Sequence, residues 1–191
     1  MENANRVVSS EAEQLVLVDA DDRETGFLSK AECHDGAGLL HRAFSVFLFN
    51  ADGELLLQQR SVSKRLWPGF WSNSCCSHPR RGESMQLATS RRLQDELNIR
   101  STLEFVYKFS YQAEFSDLGS EHELCHVYLG RMNTPATANR HEIAALRYLA
   151  ADVLTHELGQ TPQIYTPWLQ MEWRQLISEH RDVLSRYAEL S

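Results

Sequence analysis

Apolar and polar residues in the first third of the chain form short runs separated by turn signals. Residues 15–18 and 26–30 are typical of short strands, and the first ends in an acidic turn. A stronger apolar run at 43–49 and the segment 54–60 flank Asn-Ala-Asp-Gly at 50–53. This arrangement predicts a β-hairpin.

The rest of the chain alternates between strand and helix patterns. A strand is predicted over 102–115, followed by a turn and a return strand over 121–129. Residues 141–149 predict a further strand or edge segment, and from residue 165 the chain is predicted to be helical. This last part carries a broad apolar stripe of Trp168, Leu169, Met171, Trp173, Leu176, Ile177, Val183, Leu184 and Tyr187. The pattern indicates a mixed α/β fold.

A helix is predicted over residues 84–99, where Leu87, Leu93 and Leu97 recur at helical spacing. Its charged residues include two pairs of opposite sign four positions apart, Arg91 with Asp95 and Arg92 with Glu96. Such pairs stabilise an exposed helix by about 0.2–0.5 kcal/mol each, so the simplest interpretation is a solvated face. The neighbouring loop favours a binding site instead.

Strand alternation divides the residues of the return strand between two faces. Glu121, Glu123 and Cys125 share one face, and His122 and His126 lie on the other. Two carboxylates on one side of a strand repel each other unless a positive charge lies between them. They are therefore either exposed or bound to a metal, and the two histidines are expected to be structural or surface residues.

Composition narrows the class of protein. The 191 residues, 42% of them hydrophobic, suit one globular domain with a sizeable core, which we place at 15–191 after a flexible segment at 1–14. A net charge of -7 argues against a nucleic-acid surface. No run of 18 apolar residues and no apolar leader is present, and the four cysteines match no disulfide framework. We therefore expect a cytoplasmic protein, monomeric or homodimeric, outside the membrane.

The loop at 67–83 crowds thiols, an imidazole and arginines before the predicted helix. Arg60 and Lys64 precede it; as loop charges they are either solvated or available to bind phosphate oxygens. The spacing from this loop through the helix resembles the Nudix box at Glu83, Arg91, Leu93, Asp95, Glu96 and Ile99. Three positions depart from the pattern of that box: Ser77, Arg92 and Asn98. Because Arg92 replaces a metal-binding Glu, the box resembles a diphosphate-binding site more than a hydrolytic centre.

Two further motifs narrow the resemblance to the type I isopentenyl-diphosphate isomerase family, over residues 15–173. They are Ser-Asn-Ser-Cys-Cys-Ser-His-Pro at 72–79 and Arg-Ser-Val-Ser-Lys at 60–64 before Trp-Pro-Gly. The resemblance implies an α+β fold in which a Nudix-type mixed β-sheet is sandwiched between helices. It also implies isomerisation of isopentenyl diphosphate to dimethylallyl diphosphate, a small-molecule diphosphate substrate, with no nucleic acid as a partner.

The same resemblance implies a set of site residues. The catalytic residues would be Cys76, Glu123, Tyr111 and Trp168; the substrate-binding residues would be Lys30, Arg60, Lys64 and Arg92. One divalent metal, Mn²⁺, Mg²⁺ or Zn²⁺, would be held by His34, His41, His78, Glu121 and Glu123, and a diphosphate-bridging Mg²⁺ by Glu96 and the carbonyl of Cys76.

Two alternatives remain open at this stage. A Nudix diphosphate hydrolase would fit the box, and a late acidic residue such as Glu142 could then serve as its base. A binding module that holds a diphosphate or a metal without catalysis is the other. Neither accounts for the motif residues Cys76, Glu123 and Trp168 together, whereas moving a double bond requires two proton carriers and a stabilised cation.

Overall fold

The computed structural model describes residues 6–190, within which nine strands and five α-helices form a mixed α+β fold. The strands are β1 Gln14–Val18, β2 Glu24–Ser29, β3 His41–Phe49, β4 Leu55–Arg60, β5 Trp71–Ser72, β6 Cys75–Ser77, β7 Leu103–Glu114, β8 Ser120–Arg131 and β9 Ile143–Leu149. The helices are α1 Lys30–His34, α2 Met85–Leu97, α3 Ala151–Gln160, α4 Pro167–Glu179 and α5 Arg181–Leu184. None of these helices is long and apolar enough to cross a membrane.

Strand β3 lies at the centre of the sheet. It pairs antiparallel with β1, β4 and β6, and parallel with β8. Phe44, Val46 and Leu48 pack against α2 on one face, while Phe47 and Phe49 pack toward the C-terminal helices on the other. A strand buried on both faces needs a nearly continuous apolar run, and residues 43–49 supply one that only Ser45 interrupts. The expected sandwich of a sheet between helices is confirmed.

Several local predictions need correction. The strand expected at 26–30 ends at Ser29, because Ser29 and Glu32 form a capping box that starts α1 at Lys30. The expected hairpin is reduced to one pair, Phe49 with Leu55, since β4 pairs mainly with β9. Helix α3 was not predicted, and the helical segment from 165 is divided between α4 and α5.

Helix α2 also differs from the expected solvated helix. Arg92 and Glu96 are each only 3% exposed, and Arg91 binds Glu83 rather than Asp95. Leu87, expected in the apolar stripe, is exposed. The helix therefore turns one of its ion pairs inward.

The segment before β1 contacts the body of the protein. The carbonyl of Val8 accepts a hydrogen bond from Arg92 at 2.9 Å, and Arg80 binds Glu13 at 2.6 Å. Residues 1–5 of the segment expected to be flexible lie outside the described residues. The flexibility of 1–14 and the domain bounds 15–191 stay predictions.

Candidate active site

A cavity of about 340 Å³ opens at one end of the central strands. Its walls include most of the residues that the motifs single out. Those lining it are Lys30, His34, Arg60, Lys64, Cys76, His78, Arg92, Tyr111, Glu121, Glu123 and Trp168, together with Glu142. His41 and Glu96 lie behind this wall and are buried.

Five side chains, four of them buried and His78 half-buried, form a cluster at the cavity wall: His34, His41, His78, Glu121 and Glu123. One ligand atom from each lies within 4.8 Å of all the others. Four elements supply them, and pairing of β3 with β8 sets His41 directly opposite Glu123. This group could hold a metal ion. We call it the His/Glu cluster.

The imidazoles are oriented for coordination. Nδ1 of His34 lies 2.6 Å from the carbonyl of Lys30, and Nδ1 of His41 lies 2.7 Å from the carbonyl of Leu39. Because a carbonyl only accepts hydrogen bonds, each Nδ1 carries the proton and each Nε2 faces the cluster. Nε2 of His41 is buried without a hydrogen-bond partner in residues 6–190, as expected of a ligand atom.

The charges of this cluster are poorly balanced without a cation. Burial lowers the pKa of His41 to about 4 and, with the neighbouring imidazoles, holds that of His78 well below its usual range. Burial and the Glu121 carboxylate raise the pKa of Glu123. Burial also opposes ionisation of both members of the His34–Glu121 pair, but their contact at 2.7 Å outweighs it, raising the pKa of His34 and lowering that of Glu121. The donor set fits a divalent cation, which would replace these protons.

Glu123 also connects the cluster to the cavity. One of its oxygens lies 2.8 Å from Nε2 of His78, and the other accepts a hydrogen bond of 2.7 Å from the hydroxyl of Tyr111. The alternation predicted for β8 is confirmed, because His122 faces Gly38 and His126 lies 2.8 Å from Asp22, both away from Glu123.

Cys76 also lines the cavity and belongs to β6. Adjacent residues of a strand point to opposite sides, and Cys75 accordingly faces α2, where its thiol donates to Glu96 at 3.6 Å. The Cys76 thiol is half-buried, and burial raises its pKa to about 12, against the opposing effect of Arg60. Cys76 is therefore a neutral thiol, able to donate a proton.

Trp168 forms another wall and is 2% exposed. Its ring makes an edge contact with Trp67, centroid to centroid 5.2 Å, and lies 5.1 Å from the guanidinium of Arg60. Its indole N–H donates to Ser72 at 2.9 Å. Trp67 is buried as expected of loop packing.

Four of the cations that line the cavity are those expected to bind the substrate: Lys30, Arg60, Lys64 and Arg92. We call these the cationic clamp. Each already contacts oxygens of the protein: Lys30 binds Glu11, Arg60 binds the carbonyls of Leu66 and Trp67, Lys64 binds Glu142, and Arg92 binds Glu96 and Glu142.

Glu142 contacts two members of the cationic clamp, Lys64 and Arg92, which the sequence did not indicate. Burial opposes its ionisation, but Lys64 and Arg92 outweigh that effect and lower its pKa to about 2. It lines the cavity, whereas Glu96 lies behind Arg92. Glu142 lies in a loop 50 positions after Arg92 in the sequence, so no local pattern could predict their contact.

A further buried carboxyl, Glu172, lies one turn after Trp168 on α4. It is 0% exposed, and one of its oxygens accepts a hydrogen bond from the thiol of Cys125 at 3.5 Å. Burial raises its pKa to about 8, despite hydrogen bonds from Ser45 and Cys125. Within residues 6–190 its second oxygen has no hydrogen-bond partner.

Comparisons with known proteins place this geometry in a family. Residues 39–169 match the model of the NUDIX domain. The isopentenyl-diphosphate Delta-isomerase 1 of Photorhabdus laumondii is 41% identical over 90% of this chain and 99% of its own length. The chain belongs to the isopentenyl-diphosphate isomerase family of Nudix proteins. The isopentenyl-diphosphate Delta-isomerase of Serratia proteamaculans is 44% identical over 82% of this chain and 87% of its own length. That of Shigella boydii is 39% identical over 94% of this chain and 98% of its own length.

Solved structures agree on the fold. DR0079 from Deinococcus radiodurans covers 85% of this chain and 98% of its own with a TM-score of 0.71 at 22% identity. The MutT protein of Methanosarcina mazei covers 74% and 96% with a TM-score of 0.62 at 15% identity. At such identities the likeness extends to the Nudix fold alone.

Proposed function

We propose that this chain isomerises isopentenyl diphosphate to dimethylallyl diphosphate. One observation carries the proposal: a neutral thiol, Cys76, and a carboxyl group, Glu123, line the same cavity from different strands. The names of the family members support the same reaction.

The reaction needs two proton carriers. Protonation at C4 of isopentenyl diphosphate turns its terminal double bond into a methyl group and leaves a tertiary cation at C3; loss of a proton from C2 then forms the internal double bond. We assign the two transfers to Cys76 and Glu123. Tyr111 supports the Glu123 side, since its hydroxyl donates to that carboxyl and stabilises its ionised form.

The intermediate cation is stabilised by the indole of Trp168. A ring face attracts a cation without reacting with it, by about 2 kcal/mol or more when water is excluded. Trp168 is almost fully buried, which suits this role.

The diphosphate binds at the cationic clamp. Arg60 and Arg92 can hold phosphate oxygens with two parallel hydrogen bonds, while Lys30 and Lys64 act as point charges. Glu96 and the carbonyl of Cys76 would hold the Mg²⁺, whose positive charge helps to retain the diphosphate. Glu142 would release Lys64 to the substrate.

The His/Glu cluster takes a resident divalent metal, Mn²⁺, Mg²⁺ or Zn²⁺. Three imidazoles and two carboxylates suit these ions, and the buried lone pair of His41 supports a tightly held one. A bound cation would balance the negative charges of Glu121 and Glu123, so the two carboxylates would no longer repel each other and Glu123 would be held on the cavity wall.

We further propose that the protein is cytoplasmic. All four cysteines are free thiols, as expected in a reducing compartment.

Isotope labelling tests the reaction. Turnover of isopentenyl diphosphate in D₂O is expected to place deuterium in the methyl group derived from C4, because the added proton exchanges with solvent. Glu123→Gln should abolish turnover and leave substrate binding intact, since the clamp is unchanged. Dimethylallyl diphosphate formed in D₂O without deuterium would refute the two-carrier mechanism.

The second candidate is a Nudix diphosphate hydrolase, favoured by the acidic Glu142 on the cavity wall. Arg92 opposes it, because an arginine stands where the box has a metal-binding glutamate. Release of inorganic phosphate or pyrophosphate from isopentenyl diphosphate would support hydrolysis, and binding without any turnover would support a non-catalytic module.

A further inference from the structure

Ser72 lies at the junction between two walls of the cavity. It ends β5, is 0% exposed, and its hydroxyl oxygen has four polar neighbours. Trp168 Nε1 donates to it at 2.9 Å and Thr166 Oγ1 at 3.1 Å, while it donates to Asn73 Oδ1 at 2.9 Å. The thiol of Cys76 lies 3.8 Å away.

The position of this hydroxyl is fully determined. A serine hydroxyl carries one proton and accepts two hydrogen bonds. Trp168 and Thr166 fill both acceptor places, and Asn73 receives the proton. The hydroxyl can therefore neither rotate nor shift without leaving a buried polar group unsatisfied, which is unfavourable.

Asn73 extends the connection to the strand that carries the thiol. Its amide nitrogen donates to the carbonyl of Cys75 at 3.1 Å and to that of Val46 at 3.3 Å. The peptide between Cys75 and Cys76 is thus tied to Ser72 through one side chain. A continuous set of hydrogen bonds runs from the Trp168 indole to the backbone of Cys76.

The indole has one polar atom, and Ser72 holds it. The other contacts of Trp168 are with rings and a guanidinium, which restrict the position of the indole less strictly than a hydrogen bond does. Stabilisation of a cation by an aromatic ring depends on the ring facing it. A displaced ring would still fill the wall but would present its edge.

We propose that Ser72 is a positioning residue for the isomerisation: its hydroxyl fixes the indole of Trp168 relative to the thiol of Cys76. This inference rests on the proposed function, because it assigns the indole and the thiol their roles in that reaction. Ser72 itself need not touch the substrate.

Three variants test it by steady-state kinetics with isopentenyl diphosphate. Ser72→Ala is expected to lower kcat roughly tenfold to a hundredfold with KM changed little, since misplaced groups slow the reaction more than they weaken binding. Ser72→Thr keeps the hydroxyl and should recover most of kcat. Ser74→Ala is the matched control: this hydroxyl is also 0% exposed in the same loop, but it joins Leu56 and Leu48, so its loss should lower the melting temperature and spare kcat.

A double-mutant cycle separates positioning through the indole from a general structural effect. In a Trp168→Phe background the indole N–H is absent, so adding Ser72→Ala should cost much less in kcat than it does in the wild type. Equal cost in both backgrounds would overturn the proposal. So would a Ser72→Thr enzyme as slow as Ser72→Ala, or a Ser74→Ala enzyme with the same loss of kcat.

If Ser72→Ala shows no cooperative melting, Thr166→Val decides instead, because it withdraws one hydrogen bond from the same hydroxyl. A several-fold lower kcat at unchanged KM supports the proposal, and wild-type kcat overturns it. An inactive wild-type protein would refute the proposed function and this inference with it, whereas an active wild type with a fully active Ser72→Ala refutes the inference alone.

Discussion

Neutralising Glu172 should change how the stability of the protein depends on pH. The carboxyl is 0% exposed, no cation within residues 6–190 lies beside it, and burial raises its pKa from 4.5 to about 8. Unfolding returns it to water and to its ordinary pKa. Below pH 4.5 it is protonated in both states; between 4.5 and 8 the folded state alone keeps the proton.

The sign and size follow from proton linkage. Because the folded state binds more protons over this range, stability is lost as pH rises, by about 1.36 kcal/mol per pH unit. Over about 3.5 units the loss is on the order of 5 kcal/mol. Glu172→Gln has no carboxyl to ionise and still accepts from Cys125, so it should match the wild type near pH 4.5 and exceed it most at pH 8.

Urea unfolding at several pH values from 4.5 to 8, on both proteins with the same metal content, measures this difference. Other groups titrate over the range, but they are common to both proteins and leave the difference unaffected. Glu179→Gln, an exposed carboxyl on the same helix, is the control and should follow the wild type. Parallel stability curves for Glu172→Gln and the wild type would refute the reasoning.

Three further outcomes are expected. Prolonged chelation should remove both the bound metal, measured by elemental analysis, and turnover. His78→Ala should lower the metal content far more than His122→Ala. Full activity without metal would contradict the assignment of the His/Glu cluster as the metal site. Cys76→Ala should lower kcat by about 10²–10⁴-fold and Cys75→Ala only slightly, and the reverse order would contradict the orientation of β6. Glu142→Gln deprives the buried Arg92 and the half-buried Lys64 of a counterion, so the melting temperature should fall. Added inorganic pyrophosphate should raise the melting temperature of this variant more than that of the wild type, and an equal shift in both proteins would contradict competition for the clamp.

The features predictable from sequence were those governed by local periodicity. Alternation along β8 separated Glu121 and Glu123 from His122, and the apolar run at 43–49 indicated the strand β3. These patterns extend over five or more residues, so one amino-acid sequence is enough to show them. The motifs supplied the grouping of the histidines, which spacing alone could not.

The features that escaped prediction depend on contacts between distant segments or on weak local signals. Arg92 meets Val8 and Glu142 across 84 and 50 positions, so nothing beside it in the sequence indicated its burial. Helix α3 begins after Ala150, which offers no side-chain cap. The capping box of Ser29 and Glu32 was a readable signal for α1, but a helix of five residues has too few turns to show periodicity.

The pairing of β3 with β6 and β8 fixes how far apart Cys76 and Glu123 lie along the sheet. Cys76 sits opposite Ser45 on one side of this strand, and Glu123 sits opposite His41 on the other, four positions away. Backbone hydrogen bonds, rather than the packing of cavity side chains, thus set the backbone spacing of Cys76 and Glu123, the two residues that we propose as proton carriers. Redesign for a bulkier allylic diphosphate can therefore trim a wall residue such as Leu66 without changing the distance over which protons are exchanged.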